Sequence, residues 1–270
     1  MGRIAYSKHS RYNVFTDVRG LSEMREHWCQ TWDDFNDTLR GSIFEGQPPT
    51  KGRFLFRGQG NASWSLQTSF DRAFREYPAA KRKKIEKTLM DSFQEWLESD
   101  SFLHDAADNE IVLRAIAQHY GLPTRLLDWS DSPYVAAFFA FNGHFREVLS
   151  NSATGDYVAV YALDSSNRSV WDYETGVGIV HPSSWKNPRA KRQFGWFTLA
   201  RTPYTTLEEH IAHFPGEESA LQKIVLPVGL AREAIAHLDI MGISYETVFP
   251  DLEGAAKSAL SRVLLSLANE

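Results

Sequence analysis

Cysteine is nearly missing from this sequence: Cys29 is the single one in 270 residues. That excludes an internal disulfide framework and a cysteine-rich zinc site. Nine histidines are present, but none pair as HxH or HxxxH. His210 and His213 stand three apart in a polar segment without cysteine partners, so no metal is expected. Long apolar runs are missing too. No stretch approaches the roughly 18 uninterrupted apolar residues of a membrane-crossing helix. Residues 1–9 hold no apolar signal-type run, and Gly2 matches a myristoylation position only formally. The expectation is a cytoplasmic protein without a membrane partner. Positive charge is not in excess: 29 Lys and Arg face 34 Asp and Glu, a net charge of −5, and the pI is about 6.0. A generic duplex binder is thereby disfavoured, while a local basic groove stays compatible. Three nucleotide and hydrolase signatures are absent: GxGxxG, GKS/T and GxSxG. This argues against a Rossmann dehydrogenase, a P-loop NTPase and an α/β-hydrolase.

What remains is an apolar, aromatic chain, 43% hydrophobic and 13% aromatic, which is ample for one sizeable core. Periodicity predicts helices over residues 21–39, 79–97, 110–119, 132–145, 232–241 and 252–267. Extended segments are predicted at 53–60, 64–66, 157–163, near 178–180, at 221–227 and 245–249. There are no repeats, low-complexity tracts or linkers. Helices and strands interleave irregularly, which predicts an α+β fold: one domain over residues 21–268 after an N-terminal segment, residues 1–20. A small mixed sheet should be wrapped by helices, with helical elaboration toward the N-terminal end.

The chain is organised around Gln118-His119-Tyr120-Gly121-Leu122-Pro123-Thr124-Arg125-Leu126-Leu127-Asp128-Trp129-Ser130-Asp131-Ser132-Pro133. Gly121 and Pro123 fix a turn. Asp131 reads as a helix N-cap with Pro133 in the first turn. The stretch reads as a polar, aromatic loop between two helices, a usual mounting for a site. Arg125 and Asp128 are close enough in sequence to reach each other. They supply either an anion clamp with an acceptor or base, or a buried pair that holds the loop. His119 closes a helix, where a proton-carrying role and a capping role are both open.

Two further motifs stand out. Phe54-Leu55-Phe56-Arg57-Gly58-Gln59 places an arginine at a strand end. Its guanidinium offers a fork of donors for phosphate or carboxylate, or pairs with a neighbouring helix. Gly58 allows a ligand or another backbone to come close. Gln193-Phe194-Gly195-Trp196-Phe197-Thr198 combines an amide with aromatic faces that stack on a base or simply pack in a core. Lys186, Arg189, Lys191, Arg192 and Arg201 flank it, as in a nucleotide or single-strand track.

These segments together resemble the FRG domain family, named for its Phe-Arg-Gly motif. The matching pieces are Phe56-Arg57-Gly58-Gln59, the run from Gln118 to Trp129, Ala136-Ala137-Phe138-Phe139-Ala140, Arg192-Gln193-Phe194-Gly195-Trp196-Phe197-Thr198, and Gly242-Ile243 with Phe249-Pro250-Asp251-Leu252-Glu253-Gly254. The family occurs widely in bacteria and their phages. That implies a role in phage–host conflict, as a toxin or effector.

A second likeness bears on chemistry. A strand ending in Phe-Arg-Gly, then a loop leading into an Ala/Phe helix, is similar to the mono-ADP-ribosyltransferase layout, so the resemblance implies such a core. It further implies NAD as substrate and a protein or nucleic-acid acceptor. Arg57, His119 and Asp128 would be catalytic. Arg57, Gly58, Gln59, Tyr120, Thr124, Arg125, Trp129, Gln193 and Phe197 would bind the dinucleotide. The segment 221–227 looks like the strand that carries the family's catalytic Glu, but here it reads Ala220-Leu221-Gln222-Lys223 with no ExE. The substitutes in reach are Gln222, Glu218 and Glu253. The alternative keeps the same cleft as a nucleotide or single-stranded RNA binding module without turnover. A third class, a scaffold or antitoxin-like partner, would place function on a surface patch.

Overall fold

The centre of the fold is a pair of strands buried on both faces. Tyr157–Asp164 (β4) and Leu221–Pro227 (β7) are almost continuously apolar. They pair antiparallel from Tyr157 opposite Pro227 to Leu163 opposite Leu221. Such runs lose the polar-out alternation of a one-sided sheet, because both faces are covered. The computed structural model describes residues 24–98, 109–144, 156–174, 176–181, 195–249 and 251–267. Around the central pair lie β1 (Arg25–Trp28), β2 (Phe54–Gln59), β3 (Leu126–Ser130), β5 (Val177–Val180) and β6 (Gly195–Ala200). The seven strands form one mixed sheet in the order β1-β7-β4-β2-β3-β6-β5. β1 runs parallel to β7 and every other pairing is antiparallel.

Nine α-helices occur among the described residues: α1 (Trp32–Thr38), α2 (Ser69–Phe74), α3 (Ala79–Glu98), α4 (Glu110–His119), α5 (Pro133–Phe141), α6 (Leu207–Ile211), α7 (Ala231–Ile240), α8 (Tyr245–Val248) and α9 (Leu252–Leu267). α5 is apolar on nearly every side and is sunk into the larger core. There Ala136, Phe138 and Phe141 meet Phe56, Val160 and Ile224. Leu55, Trp129, Tyr161 and Leu163 belong to a second cluster with Leu207 and Ile211 of α6. The architecture is α+β in one domain, with a mixed sheet larger than the small one expected. The helical elaboration α2–α4 lies between β2 and β3. No described helix is long and apolar enough to cross a membrane.

Several expectations are corrected. Residues 25–39 do not form one helix: 25–28 are an edge strand, and α1 begins only at Trp32. There Thr31 accepts from Asp34 N at 3.0 Å while the Asp34 carboxylate accepts from Thr31 N, a capping box that stops the helix from extending backward. Residues 245–248 are helical rather than extended, because Ser244 and Thr247 cap them in the same manner. The N-cap of α5 is Ser132, which accepts from Val135 N; the Asp131 carboxylate instead lies 3.7 Å from Lys51 Nζ. The central loop is half strand: 126–130 pair with β6 from Leu126 opposite Leu199 to Ser130 opposite Gly195.

Candidate functional site

β2 follows β4 over its whole length, and β3 follows β6, but β2 and β3 touch at one register position, Phe56 opposite Ser130. Beyond it the two strands diverge. The gap is the floor of a cavity of about 520 Å³, within the roughly 300–1,000 Å³ usual for small-molecule sites. The polar groups on its wall include Arg57, Gln59, Arg72, Gln118, His119 and Asp128; Trp64, Trp129, Phe139, Trp196, Phe197 and Phe249 supply aromatic surface.

Arg57 reaches across the gap. Its Nη1 donates to the Asp128 carbonyl at 2.8 Å and lies 3.6 Å from Asp128 Oδ2. Loss of solvation pushes this guanidinium below its ordinary value; the Asp128 carboxylate opposes that, and the Arg72 charge adds to it. Arg57 Nε is buried without a hydrogen-bond partner among the described residues.

Asp128 presents 59% of its side chain to water. That water is confined by the cavity walls, however, and lost solvation raises the carboxyl above its usual range, opposed chiefly by Arg57. Gln118 Nε2 donates to Asp128 Oδ1 at 2.8 Å. The amide cannot face the other way. Its Oε1 accepts from the Thr124 hydroxyl at 2.5 Å, and an amide turned round would set that oxygen against the Asp128 carboxylate. Both Asp128 oxygens are thus oriented, Oδ1 by an amide and Oδ2 by a guanidinium.

Gly58 serves the fold. A Cβ there would lie 1.9 Å from the Ala136 carbonyl oxygen and 2.7 Å from Ala140 N. The backbone that approaches it closely is therefore that of α5.

The structure brings Arg57, Gly58, Gln59, His119, Asp128, Trp129 and Phe197 to one cavity. It does not bring Tyr120, Thr124 or Arg125 there. Tyr120 follows the end of α4 with 73% of its surface exposed, its ring edge-on to His119. Thr124 is buried, and acts on the cavity only through Gln118. Arg125 is buried behind the wall, where Nη2 donates to Asp71 Oδ1 at 2.8 Å; Arg82 Nη1 donates to the same oxygen at 3.3 Å. The expected Arg125–Asp128 pair is replaced by Arg125–Asp71 and Arg57–Asp128. Gln193 lies outside the described residues. Of the substitutes for the missing Glu, Gln222 Oε1 accepts from His27 Nε2 at 2.9 Å on the far side of β4, and Glu218 accepts from Gly216 N; neither lines the cavity. The Glu253 side chain lies outside the described residues.

Among the cavity residues to which the sequence assigns no role are Gln118 and Arg72. Gln118 was quoted in the motif without a role, and its neighbour Thr124 was the available signal. Arg72 sits in the short α2, where no motif marks it.

The FRG-domain family model matches residues 52–147, which span β2 to beyond α5 and include Arg57, Arg72, Gln118, His119 and Asp128. The chain carries an FRG domain. No match was found among curated proteins or among solved structures. The cavity of the FRG domain is completed by Gly195, Trp196, Phe197 and Phe249, from beyond the matched span.

Proposed function

We propose that the cavity binds a dinucleotide of the NAD type, and that the protein cleaves its nicotinamide–ribose bond, passing ADP-ribose to water or to a macromolecular acceptor. The observation that carries this reading is the Arg57–Asp128 pair at the bottom of a split sheet. It supports an ADP-ribosyltransferase-like core, because a strand arginine and a carboxylate then face one ring-lined cleft. Glycosidic cleavage passes through an oxocarbenium-like centre, which a fixed carboxylate stabilises. Asp128 is the one acidic side chain on the described cavity wall, and Gln118 and Arg57 fix its direction. Phe139 and Trp196, half-buried on the same wall, offer ring surface to the leaving group, and His119 is a polar partner for a ribose hydroxyl.

The test is incubation with NAD and assay of free nicotinamide, for the native protein and for Asp128→Asn. Asn keeps the shape and the Gln118 contact but removes the charge. Release that drops at least a hundredfold in Asp128→Asn supports the reading, roughly the share of a positioned acid–base or charge-stabilising group. Release unaffected by that change, or none at all with any acceptor, sinks it.

One observation favours the second reading, a nucleotide or single-stranded RNA binding module. Both Asp128 oxygens already have protein partners, as in a structural carboxylate. Tight binding of nucleotide without nicotinamide release is the outcome that selects this alternative.

A further inference from the structure

Arg57 and Arg72 both face the cavity, but they are not in the same condition. Arg57 spans the β2–β3 gap with Nη1 engaged on Asp128. Its other donors are constrained by that pose. Arg72 has no side-chain hydrogen bond or ion pair with any of the described residues, and its side chain is exposed to the cavity. Its backbone, by contrast, is firmly placed. Phe70 and Asp71, the two residues before it, are 0% and 1% exposed. Thr68 caps α2 by accepting from Asp71 N, and Phe70 N donates to the Thr124 carbonyl at 3.1 Å. A rigid mount therefore carries a fork of five donors that no described residue engages. That is the condition of a ligand-binding arginine rather than a strut.

We propose that Arg72 is the anchor for the ligand's phosphate, and that Arg57 is a positioning residue which holds Asp128 and the two sheet halves. The proposal rests on the reading that the cavity takes a nucleotide, and it assigns the phosphate-gripping part to a residue outside the Phe-Arg-Gly motif. Charge supports it. Arg57 and Arg72 outweigh Asp128 on the described wall, leaving one positive charge for an anion to balance. The Arg72 charge also works against the charged form of Arg57, a repulsion that a phosphate between them relieves. Geometry supports it as well. Trp64, 59% exposed on the same wall, offers a face for the ring of a nucleotide whose phosphate Arg72 holds.

The experiment measures ADP and adenosine affinity by calorimetry for the native protein, Arg72→Gln and Arg72→Lys, with the ligand-free melting temperature of each. The native protein should bind ADP at least tenfold more tightly than adenosine. Arg72→Gln should lose roughly ten- to hundredfold in ADP affinity, as a charge-assisted bond is removed, with adenosine affinity and melting temperature unchanged. Arg72→Lys should recover part of the loss, because it restores charge without the fork. The proposal is overturned if Arg72→Gln binds ADP like the native protein, or if the native protein binds ADP no better than adenosine. Its failure is separable from that of the cleavage reading. Nicotinamide release that is indifferent to Arg72 overturns this assignment alone. Arg72-dependent ADP binding without any release overturns cleavage alone.

Discussion

Arg57 and Asp128 are joined where the sheet itself is not: the guanidinium donates to the Asp128 main-chain carbonyl at 2.8 Å, just past the last paired position of β2 and β3. A side chain thus stands in for a ladder hydrogen bond. Arg57→Ala should cost about 1.5–3 kcal/mol, the range for a hydrogen bond to a charged group. At about 2–4 °C per kcal/mol the ligand-free melting midpoint should fall by several degrees. An unchanged midpoint would mean that the contact does not help to hold the two strands.

Gly58 should tolerate no side chain. In Gly58→Ala the new Cβ meets the Ala136 carbonyl at 1.9 Å, and both partners are backbone. Overpacking costs roughly 1–3 kcal/mol or more, and here neither side can rotate away. Gly229→Ala is the control, because a Cβ there would meet nothing within 4 Å. Soluble yield and circular dichroism should separate the two variants. Equal behaviour would contradict the packing of α5 on β2.

Asp71 balances Arg82 and Arg125 in the interior, with side chains 1%, 5% and 8% exposed. Asp71→Asn keeps the volume but removes the only carboxylate that either arginine contacts among the described residues. Breaking a buried pair from one side costs about 3–5 kcal/mol. The midpoint should drop by about 10 °C or more on the same scale. A loss of a degree or less would show that main-chain acceptors such as the Tyr204 carbonyl suffice.

His210 should make stability depend on pH. Its ring is buried; Nε2 donates to the Val170 carbonyl, and Nδ1 has no hydrogen-bond partner among the described residues. Burial pushes its pKa below 6.5, opposed by the Val170 bond. A folded value below the unfolded one means that the unfolded chain binds the proton more readily. The stabilisation is therefore complete above about pH 6.5 and is lost as pH falls toward the folded value. Melting midpoints taken from pH 8 down to pH 5 should decline less steeply in His210→Gln than in the native protein. Parallel curves would exclude His210 as the source.

Much of the fold was legible because local pattern and burial agree. The spacing of apolar residues over 110–119 and 252–267 and the apolar run of 221–227 each specify one element, and each forms there. The failures share one cause. Trp28, Trp32 and Phe35 fall at helical spacing, yet 25–28 form a strand because β7, nearly 200 residues later, presents a free edge. That partner is invisible to a local window. The site divides in the same manner. Arg57 and Asp128 were readable as chemistry, although the structure sets both inside strands, β2 and β3, rather than at a strand end and in a loop. The inward turn of Arg125 depends on Asp71, which no motif links to it. Arg72 was unreadable, since its meaning comes only from the wall that it faces.

The seam at Phe56 and Ser130 has a mechanical consequence. With one paired position, the strands β1-β7-β4-β2 and β3-β6-β5 are two leaves on a single stitch, whereas elsewhere the sheet is sewn along its length. A ligand lying across the gap fastens both leaves at once. Amide exchange should therefore slow on binding not only at the cavity floor but along β3 and β6 together, as though one cover of a book had been closed.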